Sequence, residues 1–156
     1  MALYRHFESM DDVVAEAWGA IQALVDRAVW SDAGQASNPI DELAWIFRGL
    51  ATFAERRPQL VRFILSVPVE NHPSTLTAQI AGSYERLCDL VRRGVVQGVF
   101  RPDLDVREES LRLAFLLIGI ATLMISPRRE ALAACDPERL LEATIQKALS
   151  ELLPRA

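Results

Sequence analysis

Residues 105–127 read DVREESLRLAFLLIGIATLMISP, and this stretch decides the fold class. Asp105 with Glu108 three residues on forms a capping box that opens a helix, and Pro127 closes it after Ser126. Leu111, Ala114, Phe115, Ile118, Thr122 and Ile125 fall on one side of that helix. Leu113, Leu116, Leu117, Ile120 and Met124 fall on the other. A helix that is apolar on two sides needs a partner on each. One chain of 156 residues offers a core to one side, so a second copy of the chain is the expected cover for the other. Gly119 and Ala121 are small enough to let that copy approach closely. Burying a patch of several hundred Å², at roughly 25 cal/mol per Å², contributes on the order of 10 kcal/mol before the entropic costs of association. The uncharged run Leu113–Ile125 is shorter than the roughly 18 residues of a spanning helix, so it reads as buried in protein and not in lipid.

The same helix punctuation recurs on both sides of this stretch. Ser9 with Asp12 opens a long helix whose apolar face is Val13, Val14, Ala17, Ile21, Leu24, Val25 and Ala28. The segment 32–38 reads as a loop. Asn38-Pro39 then starts a second helix, with Ile40, Leu43, Ala44, Phe47, Leu50, Ala51 and Ala54 as its stripe and Pro58 to end or kink it. Leu60–Val67, between Pro58 and Pro68, leaves room for two turns at most. Pro73 marks the next start, with Leu76, Ile80, Tyr84, Leu87, Cys88 and Val91 on one face and a stop near Gly94 or Gly98. Asp136-Pro137 opens the last helix, which carries Leu141, Ile145, Ala148, Leu149 and Leu152, and Pro154 closes it. Period-2 alternation and hairpin turns are missing, so the expectation is an all-α chain of about six helices with short loops and no internal repeat.

Composition excludes several classes. Lys and Arg number 17 against 21 Asp and Glu, a net charge of −4, which argues against an overall basic nucleic-acid binder. Apolar residues at 51% and charged residues at 24% describe a globular chain. Cys88 and Cys135 form no CxxC motif, and His6 and His72 stand apart from them, so no metal site is expected and both thiols are expected to be reduced. Polar residues interrupt the N-terminus at once, so no signal peptide is read and the expected location is the cytoplasm. No phosphate-binding glycine loop and no nucleophile–His–acid motif is present; the chain is not expected to be an enzyme, and no cofactor is implied. Asp11, Asp12 and Glu16 sit in the first turns of a helix, where the dipole favours negative charge. Arg56-Arg57, Arg92-Arg93 and Arg128-Arg129 fall near helix ends, for the converse reason.

Leu3-Tyr4-Arg5-His6-Phe7, followed directly by the Ser9 cap, resembles the tetracycline-repressor (TetR) family of bacterial transcriptional regulators. In that family a Leu-Tyr-x-His-Phe motif closes the recognition helix of a helix-turn-helix. Gly98-Val99-Phe100-Arg101-Pro102-Asp103-Leu104-Asp105 is similar to the family's turn between its seventh and eighth helices. The helix order after Ser9 is similar to the family's C-terminal domain. The resemblance implies that residues 1–8 are the remnant of a recognition helix and that 9–156 form a ligand-binding and dimerisation domain. The family's first two helices would precede Met1; the expected explanation is a truncation or a start codon assigned too far downstream. Met10 stands where the family often has a Lys that meets DNA phosphate.

Several residue roles follow from that resemblance. Tyr4 and His6 would face DNA once the whole motif is present. Trp45, Phe63 and Tyr84, from three successive helices that surround an inducer cavity in the family, would line a pocket for a small apolar effector, with Trp18 and Phe115 beside them. Trp45 and Thr52 share a face of the second helix with Arg48 between them. From the residues alone, Arg48 and Arg62 would either meet an anionic ligand group or, as lone arginines, solvate a helix face or bridge to Glu42 or Glu55. The last two helices would pair with their copies in a four-helix bundle through Ile118, Thr122, Leu141, Ile145, Leu149 and Leu152. The implied function is a ligand-responsive repressor in which the effector shifts the first long helix. That shift changes the separation of two recognition helices that must sit about 34–36 Å apart on operator DNA. The alternative is a stand-alone dimeric small-molecule-binding protein that contacts no DNA.

Overall fold

The computed structural model describes residues 9–30, 36–67, 74–126 and 136–154, with the side chains of 74–76 left aside. Among them are six α-helices and no strand: α1 (Met10–Trp30), α2 (Pro39–Arg56), α3 (Pro58–Ser66), α4 (Ser74–Val96), α5 (Val106–Met124) and α6 (Pro137–Ser150). The motif Leu3–Phe7, including Tyr4 and His6, lies outside the described residues, as does Cys135.

Four helix starts follow directly from their capping side chains. The Asp12 backbone N–H donates to Ser9 Oγ at 3.2 Å while the Ser9 N–H donates to Asp12 Oδ2 at 2.8 Å, a reciprocal box. Asn38 Oδ1 accepts from the Ile40 and Asp41 N–H groups, each at 3.0 Å, with Pro39 at the first helical position. Asp105 Oδ1 accepts from Arg107 and Glu108, and Asp136 Oδ1 from Glu138 and Arg139. Pro58 does not kink α2; it opens α3 after a break at Arg57.

The central element is α2, which packs against each of the other five helices. Its sequence explains this: Leu43, Ala44, Ile46, Phe47, Ala51, Phe53 and Ala54 are all buried, which is more than one stripe's worth. Against it lie Leu87, Leu90 and Val91 of α4, Leu113 and Ile120 of α5, and Ile145 and Leu149 of α6, in one continuous core. Surface ion pairs strap the periphery, Arg93 to Glu42 at 2.8 Å across α4 and α2, and Arg112 to both Glu109 and Glu151 at the α5–α6 end.

The turn after α4 needs its glycines. Gly98 has φ +69°, a left-handed conformation, and the Val99 and Gly98 N–H groups return to the Gly94 and Val95 carbonyls at 3.0 Å. Phe100 folds back over Gly94 so closely that a Cβ there would come within 2.0 Å of the ring. The Arg101 N–H then donates to the Leu152 carbonyl at 2.8 Å, which docks the turn on the end of α6.

Part of the expected interface is corrected here. Ile145 and Leu152 are 0% exposed and Leu149 is 6% exposed, all within the single chain's own core. The apolar face of α6 is spent on α2, so these three side chains have no surface to offer a second copy. Leu141 is half-buried against the same core. Ile118, at 50% exposure, and Thr122 do lie on the outside. The two sides of α5 separate in part: Leu113 and Ile120 are buried and Leu111, Phe115 and Ile118 are exposed, but Ala114 and Ile125, expected on the outer side, are half-buried against the core.

Candidate functional site

Where α1 and α2 cross, Gly49 brings the two backbones together. A Cβ at position 49 would lie 2.9 Å from the Ala28 carbonyl oxygen and 3.3 Å from the Val29 Cα. That contact is the floor of an open groove of about 490 Å³. On the α2 side its wall is Trp45, Arg48, Thr52 and Arg56, residues spaced three, four and four apart along one face. On the α1 side it is Leu24, Arg27 and Ala28, and Arg57 closes the end beyond α2. Trp45 is half exposed, an indole set at the edge of a depression instead of in the core.

Arg48 has a fixed partner, and it is neither Glu42 nor Glu55. Its Nε and one terminal nitrogen donate to the two carboxylate oxygens of Glu142 on α6, at 3.1 and 2.5 Å. The bond to Arg48 is the main cause, and one from Gln146 the next, of a Glu142 carboxyl lowered to about 2. The same bond raises the Arg48 guanidinium. Glu42, the partner expected for Arg48, is taken by Arg93. Arg62 instead donates to the Ile125 carbonyl at 2.8 Å, at the C-terminal end of α5, where exposed carbonyls favour a cation.

The groove gathers Trp45 and Arg48 and none of the other expected pocket residues. Trp18 is buried on α1 and Phe63 half-buried on α3. Tyr84 is half-buried on α4, and its hydroxyl donates to the Arg107 carbonyl at 2.8 Å. Desolvation first, and the neighbouring Cys88 thiol second, raise that phenol above its ordinary value. Phe115, at 65% exposure, lies on the outer side of α5 with Leu111 and Ile118 and does not line this groove. The α2 wall of the groove was readable from the Trp45–Arg48–Thr52 spacing. Its continuation to Arg56, and the contribution of Leu24, Arg27 and Gly49, depend on how α1 crosses α2, which spacing along one helix does not encode.

A second polar contact joins α1 to α4. Arg86 donates to Asp26 at 2.5 Å and stands 4.9 Å over the Trp30 ring, and Gln22 donates to both Asp26 and Ser83. Among the described residues no cluster of three or more His, Cys, Asp or Glu is placed to hold a metal ion. No helix among them is long and apolar enough to cross a membrane. No protein-family model matches the chain, and no curated protein matches it.

Proposed function

We propose that this chain is the effector-binding and dimerisation part of a TetR-like transcriptional regulator that acts in the cytoplasm. The observation that carries the reading is the span of α1. This helix of 21 residues, about 30 Å long at 1.5 Å per residue, starts at the Ser9 cap directly after the Leu-Tyr-x-His-Phe motif. Its last turns, at Leu24, Arg27 and Ala28, form one wall of the groove. A ligand seated against Trp45 presses on the same helix that leads back to Tyr4 and His6. A helix moves as a rigid rod, so a change in how α1 lies over Gly49 is carried to its other end.

The exposed row Leu111, Phe115, Ile118 and Thr122 supports a homodimer. It leaves large apolar side chains in water on a chain whose α5 already has a full inner core. Leu123 of α5, Leu140 of α6 and Leu153 just beyond α6 are also exposed. In this reading α5 meets its copy, and α6 contributes the side opposite Ile145 and Leu149.

The test joins two measurements. The chain is expected to scatter light as twice 17.4 kDa at micromolar concentration. The gene product expressed with its upstream in-frame codons is expected to select one palindromic duplex from a random library and to hold it at about 150 mM salt. A dimer that binds ligand but selects no duplex is a stand-alone binding protein, and the regulator reading is then wrong.

A further inference from the structure

The α1–α2 groove differs in charge from two other grooves formed by the described residues. Among the described residues, four arginines, Arg27, Arg48, Arg56 and Arg57, line it, and no carboxylate does. The groove between α1 and α4 includes Asp26, and the one between α5 and α6 includes Glu151. This concentration of positive charge occurs in a chain whose net charge is −4.

The helix dipole accounts for only part of it. Arg56 lies in the last turn of α2, where a cation is favoured, but Arg48 lies in the middle of the helix. Arg48 is already held through two nitrogens by Glu142, so it acts as a fixed wall. Arg56 and Arg57 make no ion pair among the described residues, although the chain carries more acids than bases. Their guanidiniums are free to take a bidentate anion at the end of the groove. Apart from Thr52, the remaining lining side chains are apolar, with Leu24, Phe53 and the half-exposed Trp45 the largest. A flat apolar body on Trp45 and a carboxylate at Arg56 and Arg57 would satisfy both halves at once.

We infer that the groove takes a small aromatic or otherwise planar carboxylate, its apolar body against Trp45 and its anion on Arg56 and Arg57. This rests on the groove being the effector site, and it replaces a purely apolar effector with an anionic one.

The probes are naphthoate and its neutral amide, which share a shape and differ in charge. Calorimetric titration of the full chain should show naphthoate bound more tightly by about tenfold or more, the range expected for hydrogen bonds to a charged group. That preference should fall as salt rises. The Arg56→Gln/Arg57→Gln double variant, altered only at exposed positions, should keep its circular dichroism and bind the two ligands equally. Trp45→Ala should weaken both by a similar factor. Equal affinity for the two ligands in the unaltered chain, absence of naphthoate binding at millimolar concentration, or a preference that survives the double substitution would each overturn the inference. Its failure is separable from failure of the regulator reading. Lost charge preference leaves the dimer and duplex selection standing, whereas a monomer that selects no duplex yet prefers naphthoate sinks the regulator and keeps the site.

Discussion

The two sides of α5 differ little in composition and greatly in surroundings. Leu113 and Ile120 face α2 and α4 and are buried; Leu111, Phe115 and Ile118, on the same helix, have 46, 65 and 50% of their surface in water. Side-chain type therefore does not decide which stripe of a two-sided helix becomes the core of its own chain. The neighbours decide it. α2 sits at the centre and reaches α5 from one side only, while α6, the other candidate cover, spends its apolar face on α2 as well.

This contrast can be broken most strongly from the inside. Ile145→Asp places a charge at a fully enclosed site with no partner, so the chain is expected to lose its cooperative fold, seen as loss of the thermal transition by circular dichroism. Measured by urea unfolding in the monomeric Phe115→Asp/Ile118→Asp background, Leu113→Ala, at 0% exposure, should cost about 2–5 kcal/mol, whereas Leu111→Ala on the outer side should cost well under 1 kcal/mol. If the two leucines prove equal, the division of α5 into an inner and an outer stripe is mistaken.

The outer stripe answers to a different readout. Phe115→Asp with Ile118→Asp should halve the light-scattering mass to 17.4 kDa and leave the helical signal intact. An unaltered mass in that variant would place the interface elsewhere. A smaller effect separates the turn from both stripes. Gly94→Ala forces a methyl group into the Phe100 ring and should destabilise by about 1–3 kcal/mol, an effect that Phe100→Leu relieves in part in the double variant.

The smallest expected effect is electrostatic. Glu142 is lowered to about 2 from an ordinary 4.5 by its bond to Arg48, so the pair contributes stability above about pH 4.5. That contribution fades as pH falls toward 2. Both side chains are nearly half exposed, which limits the pair to about 0.2–1 kcal/mol. Glu142→Gln should flatten that part of the stability-against-pH curve while leaving neutral-pH stability within the same range. A curve as steep as the unaltered chain's would mean that other carboxylates carry the acid response.

The local grammar of this chain was legible in its residues. Ser9, Asn38, Asp105 and Asp136 each cap the helix they announce, because a short oxygen-bearing side chain beside free N–H groups has the same preference in any fold. The all-helical class followed from those caps together with spacings of three and four, and the stop of α4 was legible only as near Gly94 or Gly98; the structure puts the left-handed backbone that glycine adopts freely at Gly98. What the tertiary structure alone decided was partnership. Ile145, Leu149 and Leu152 read as an interface stripe and are core, Arg48 crosses 94 positions to Glu142, and Phe115 stands in water. A helix's sequence states which of its faces are apolar, through interactions within a turn or two. Which neighbour covers a face depends on the crossing of helices far apart in the chain, here set by the bare backbone of Gly49 against Ala28, and no spacing within one helix contains that information.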